Sequence, residues 1–294
     1  CRSGAGTSRL IKTLLANITR QLGEIKIMRL VKLSILLITV ATAFLTGCNS
    51  KNIKPIENGN DIGVVLMHGK GGTTEWIDSL ASSLRSAGIN VVTPSMPWHR
   101  DRIYDRTFEQ SMSEINGYVD KLKASGSKSV FVAGHSLGAV AAAGYAARYN
   151  DIAGLILLAP GHFVAWPGFH AVVADDLANA DAMIAAGKGD ATGSYKDING
   201  PKRPSRVVKA AIYKSWFSDT GPAEFVSNMK GVKGSIPILY VAGSQDRIPQ
   251  TKNRGYAFDL APENPKSEFV IIDSSHLDVP RKADEVVIEW LREQ

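Results

Sequence analysis

Cysteine is nearly absent: the 294 residues contain only Cys1 and Cys48, so a fold stapled by several disulfides is excluded. No H-E-x-x-H or comparable histidine–carboxylate pattern occurs, nor a P-loop, nor a G-x-G-x-x-G in a dinucleotide setting. No metal, nucleotide or redox cofactor is therefore implied. The apolar run from Leu33 to Leu45 is interrupted by Ser34, Thr39 and Thr42. As a helix it reaches about 20 Å, short of a hydrocarbon core of about 30 Å. A basic excess is also missing where it would matter. The net charge is +6, but residues 1–47 hold seven Lys/Arg and a single acid, Glu24. The remainder, 48–294, carries 27 basic and 27 acidic side chains, which gives a nucleic-acid backbone nothing to favour. With 44% hydrophobic and 21% charged residues, the chain is neither a disordered polymer nor collagen-like, and it is long enough for a substantial core.

What is present begins with an address. Met28-Arg29-Leu30-Val31-Lys32 is basic, the short apolar run follows, and small residues close it, which is the layout of a secretory signal over 28–47. The closing Leu45-Thr46-Gly47-Cys48 resembles the bacterial lipobox. That resemblance implies a lipid anchor on Cys48 and a place in the cell envelope. Asn49 after the cysteine favours the outer membrane in a host that has one. A retained anchor or a plain apolar helix is the competing reading. Residues 1–27 are expected to be an upstream start or a non-native extension, and 48–60, polar with Lys51 and Lys54, a tether.

From Asp61 onward, apolar runs alternate with amphipathic stretches. Strands are expected at 63–67, 89–93, 129–133, 152–158, 236–242 and 269–272. Helices are expected at 75–87, 108–123, 138–149, 255–260 and 283–292. Near-continuous apolar strands alternating with helices predict an α/β fold with a mostly parallel, doubly wound sheet. The pattern breaks at Pro160, and residues 161–232, with helices expected at 175–186 and 205–217, form a helical cap inserted between sheet strands.

Gly134-His135-Ser136-Leu137-Gly138 falls between the third strand and its helix, which is where G-x-S-x-G must lie for its serine to occupy a sharp strand-to-helix turn. The turn lifts the hydroxyl above the sheet, and the helix N-terminus favours developing negative charge. These residues resemble the nucleophile elbow of the α/β-hydrolase superfamily, and the likeness extends over 61–294. His68-Gly69-Lys70-Gly71-Gly72 stands where that family keeps its oxyanion loop, implying the amides of Lys70 and Leu137 as donors. Family order then implies Asp246, in Gly243-Ser244-Gln245-Asp246, as the orienting acid and His276 as the base. Asp273 and Asp278 are rival acids by position, expected to be a strand-end residue and a loop cap. His68 is expected to brace its loop, and His135 to pack beneath the turn.

Pro94-Ser95-Met96-Pro97-Trp98-His99-Arg100 departs from the P-D-x-P-G-H-G loop usual in the family. Trp98 either lines an acyl pocket or wedges this loop. Trp166, Phe169, Trp216 and Phe217 of the cap either wall a substrate site or form the cap's own core. The basic stretch 201–233 either leans on anionic lipid or is simply solvated. Three functional readings remain: a serine hydrolase of small-molecule esters through an acyl-enzyme, an acyltransferase on the same fold, and a silent envelope-bound binding protein.

Overall fold

The computed structural model describes residues 53–294, so the expected signal segment 28–47, Cys48 and the stretch 1–27 expected to be an extension lie outside the described residues. Six parallel strands form one sheet: β1 (Ile62–Met67), β2 (Asn90–Val92), β3 (Ser129–His135), β4 (Gly154–Leu158), β7 (Ile238–Gly243) and β8 (Glu268–Ile272). The spatial order is β2-β1-β3-β4-β7-β8. The intervening β5 (Thr192–Lys196) and β6 (Ser205–Lys209) pair only with each other, antiparallel, in the cap. The longer helices are α1 (Asp78–Ser86), α2 (Phe108–Ala124), α3 (Leu137–Arg148), α4 (Pro167–Ala185), α5 (Ala210–Phe217) and α6 (Phe225–Gly231). The short α7 (Pro249–Lys252), α8 (Arg254–Ala257) and α9 (Val279–Lys282) precede the terminal α10 (Asp284–Arg292).

Period-two alternation divides the strand side chains between two cores. Val65, Met67, Val130, Val132, Leu155 and Leu157 join α2, α3 and the cap, while Val64, Leu66, Phe131, Ala133, Ile156 and Leu158 join α1 and α10. Covered on both faces, the strands read as unbroken apolar runs. α2 starts at a reciprocal cap: the Thr107 side chain accepts from the Gln110 amide, and the Gln110 side chain accepts from the Thr107 amide.

The cap is not purely helical. Residues 205–209, expected as the start of a helix, are β6, with Val208 buried and Val207 exposed, paired to Thr192–Lys196 in the register Tyr195↔Arg206. Two adjacent β-branched valines and a facing strand that buries Tyr195 outweigh a marginal helical pattern. The helix of this region is the shorter α5, whereas α4 starts earlier than expected, with Pro167 in its first turn.

Residues 53–60 do not behave as a free tether. Ile53 and Ile56 pack against the α1/α10 core, the Ile56 amide donates to Ala87 O at 2.8 Å, and Arg292 donates to Lys54 O. Two isoleucines in an otherwise polar stretch have apolar area to remove from water, and the body offers it a partner.

Candidate active site

Ser136 lies at the turn from β3 into α3 with φ 55° and ψ −115°, a conformation that non-glycine residues rarely adopt. Its flanking glycines are required by space. A Cβ on Gly134 would stand 2.2 Å from the Gly138 carbonyl group, and one on Gly138 would stand 2.7 Å from His68 O. Any larger residue would force the elbow apart from β1 or from its own helix.

The turn delivers the serine hydroxyl to His276, which follows β8: His276 Nε2 is 3.0 Å from Ser136 Oγ. On the other side of the ring, His276 Nδ1 is 2.6 Å from Asp246 Oδ2. A carboxylate only accepts, so Nδ1 carries the proton and Nε2 is left to accept from the hydroxyl. Asp246 is buried at the turn after β7, and its other oxygen accepts from the Ile248 amide at 2.8 Å. The rival acids sit elsewhere: Asp273 is exposed and accepts from Gln245 Nε2, and Asp278 accepts from Ser275 Oγ and Arg281.

The chain belongs to the alpha/beta hydrolase family. That family matches residues 64–290, more than two thirds of the sequence. Among solved structures, one of LipS and LipT, two metagenome-derived lipolytic enzymes, shares 20% identity at a TM-score of 0.57, covering 82% of this chain and 98% of its own. Est1E from Butyrivibrio proteoclasticus with bound ferulic acid shares 19% at a TM-score of 0.54, covering 84% and 92%. A carboxyl esterase from Bacillus coagulans in complex with glycerol shares 18% at 0.52, covering 82% and 90%. At these identities the likeness is one of fold. No curated protein matches the sequence.

In this hydrolase the loop after β1 passes beside the elbow, since a Cβ on Gly69 would stand 3.2 Å from Ser136 Cβ. Leu137 is the first residue of α3, where an amide has no acceptor within its own helix. Lys70 follows Gly69 in the same loop, and its side chain is buried in the cap. His68 is wholly buried. Its Nδ1–H donates to Gly69 O at 2.8 Å, and its Nε2 accepts from the Met96 amide at 3.3 Å. Burial pushes its pKa down to about 4. His135 is likewise buried, and desolvation pushes it down to about 3. Both are neutral braces at ordinary pH.

The tryptophans read as either substrate-lining or packing residues part company. Trp98 and Trp216 are 1% and 0% exposed, and their rings meet edge-on at 5.6 Å. Each indole N–H donates to a main-chain carbonyl, Trp98 to His68 O at 2.7 Å and Trp216 to Arg106 O at 2.9 Å. With their polar edges satisfied and no surface accessible, they wedge the loops and seat the cap on the body rather than face a substrate. Trp166 stands 45% exposed at the start of α4.

Two site residues escaped the sequence reading. Gly161 lies against Ser136: a Cβ there would stand 2.9 Å from Ser136 Oγ and 3.5 Å from His276 Cε1. His162 next to it has φ 69° and its Nε2–H donates to Trp216 O at 2.7 Å. The break in pattern at Pro160 is the one sign of them in the sequence.

Proposed function

We propose that this hydrolase cleaves carboxylic esters of small molecules through an acyl-enzyme. The observation that carries the reading is the continuous row Asp246–His276–Ser136, with separations of 2.6 and 3.0 Å and one donor and one acceptor at each link. His276 Nε2 takes the hydroxyl proton as Ser136 Oγ attacks the carbonyl carbon, and Asp246 stabilises the imidazolium that forms. The Lys70 and Leu137 amides receive the charge on the tetrahedral oxygen. His276 passes its proton to the leaving alcohol, the C–O bond breaks, and an acyl-Ser136 ester remains. Water, deprotonated by the same imidazole, then releases the acid and restores the serine.

Cys48 is proposed as the lipid attachment point, which would hold the enzyme at the cell envelope. Support for that lies in the sequence from Met28 to Cys48.

The test is hydrolysis of a p-nitrophenyl ester chain-length series by the chain from Asn49 onward, beside Ser136→Ala. Turnover by the parent and a loss of at least about 10³-fold in the variant is the expected result. Equal background rates in both, with no fluorophosphonate label on Ser136, would leave the silent-binder reading standing. Competition by added alcohols or amines for the acyl group measures any transferase share.

A further inference from the structure

Lys70 has a second set of contacts that its amide role does not require. A backbone donor is indifferent to its side chain, yet this ammonium is buried in the cap. Nζ donates to Asp197 Oδ1 at 2.6 Å and to Ile198 O at 2.8 Å, and it lies 5.5 and 5.3 Å from the ring centres of Phe169 and Phe217. Asp197, in the loop joining β5 to β6, is wholly buried. Its Oδ1 also accepts from the Ile198 amide at 2.7 Å, and its Oδ2 faces Arg206 Nε at 3.4 Å. Asn199 Nδ2 approaches the Lys70 carbonyl oxygen at 3.5 Å. Three consecutive cap residues thus hold both the side chain and the carbonyl of Lys70. From the body, the Gly71 amide, in the same peptide as the Lys70 carbonyl, donates to Trp98 O at 2.9 Å, while Gly69 O, in the peptide that carries the Lys70 amide, accepts from His68 Nδ1 at 2.8 Å and from the Gly72 amide at 3.1 Å.

Burial disfavours the charged lysine, and Asp197 is the group that offsets this. Were the pair needed only to fasten the cap, it would be redundant, because Trp216 already docks the cap through Trp98, Tyr104 and Phe108 at ring separations of 5.0–5.6 Å. What the pair adds is a fixed orientation for one loop residue.

We propose that Asp197 is a positioning residue: through its buried ion pair with Lys70, the cap shares with the body in setting the direction of the Lys70 amide. The body holds the peptide that carries this amide through Gly69 O, and the β5–β6 loop holds the Lys70 side chain and carbonyl beyond it, so the donor's final direction depends on both. This rests on the oxyanion reading above and extends it by making the cap part of the catalytic geometry as well as a cover.

The experiment compares the parent, Lys70→Met/Asp197→Leu, Asp197→Asn and Ser136→Ala. Apolar side chains of similar size often replace a buried ion pair without loss of stability. The double variant is therefore expected to keep the parent Tm. Its kcat on p-nitrophenyl butyrate is expected to fall about 10- to 100-fold, up to the loss seen when one oxyanion donor is removed. KM should stay within about threefold. Ki for a trifluoromethyl ketone, whose adduct with Ser136 carries the oxyanion, should rise by the same factor as kcat falls. A pair that merely fastened the cap would leave kcat and Ki at the parent values whatever the Tm, which overturns the proposal. If the double variant does not fold, Asp197→Asn, equal in shape but unable to balance the lysine, decides by the same kcat and Ki readings. A parent that neither turns over esters nor reacts with fluorophosphonate would sink the ester reading and this inference together. A parent active through Ser136, with folded variants that keep its kcat and Ki, would sink this inference alone.

Discussion

The Nε2–H of His135 donates to the carbonyl oxygen of His276 at 2.9 Å, so the residue before Ser136 holds the main chain of His276. The two rings also lie 5.1 Å apart. The elbow therefore presents Ser136 and at the same time fixes where His276 stands, the acceptor of its proton in the proposed mechanism. His135→Phe keeps an aromatic ring but removes that donor. A fall in kcat of about 10- to 100-fold is expected, because small misplacements at a reacting group are amplified in rate. The rate of fluorophosphonate labelling checks it. Labelling at the parent rate would show that His276 holds its place unaided.

Asp246→Asn should keep the fold and lose about 10⁴-fold in kcat with KM little changed. An amide at this position can donate to Nδ1 and so turn the proton of His276 toward Ser136, the wrong tautomer for a base. Steady-state kinetics on one ester, with Tm measured alongside, separates this from unfolding.

Gly161→Ala places a methyl 2.9 Å from Ser136 Oγ, closer than carbon and oxygen tolerate. The hydroxyl must rotate away from His276, and a loss of at least about tenfold in kcat is expected. Tm should fall by far less than for a core substitution. Full activity in this variant would mean that the loop after β4 can retreat.

Acid should destabilise the fold in a defined window. His68 and His135 are buried as neutral rings, with pKa values near 4 and near 3 against an unfolded value of 6.5. Between these values the unfolded chain binds more protons than the native one, so stability is complete above pH 6.5 and declines as pH falls toward 4 and then 3. The loss is on the order of a few kcal/mol per histidine. Urea unfolding from pH 7 to 4 measures it, and His68→Asn should flatten the slope.

Ile56→Ala should lower stability by about 1 kcal/mol, in line with apolar area lost at a half-buried position, and leave kcat untouched. An unchanged Tm would return residues 53–60 to the status of a loose tether.

The sheet and the elbow were legible because each strand is buried on both faces and the motif sits between a strand and a small-residue helix. The family resemblance pointed to Asp246 and His276, and the structure brings the two within 2.6 Å of each other and His276 within 3.0 Å of Ser136. Two kinds of feature were not legible. The strand at Ser205–Lys209 depends on its pairing with Thr192–Lys196, which local propensity does not encode. Burial of Trp98 and Trp216 depends on carbonyls from distant segments that satisfy their indoles. The partnership of Lys70 with Asp197 spans 127 residues and has no motif, so only tertiary packing could reveal it.

The direct pairing of β4 with β7 has a further consequence. Ser136 precedes the cap along the chain, whereas Asp246 and His276 follow it, so joining Ser136 to His276 closes a loop containing the whole insertion. Helices and the β5–β6 hairpin can form from nearby residues, while this closure must overcome the entropy of a long segment. Return of ester turnover during refolding therefore times that closure, and circular dichroism, which also counts the local elements, is expected to recover ahead of it.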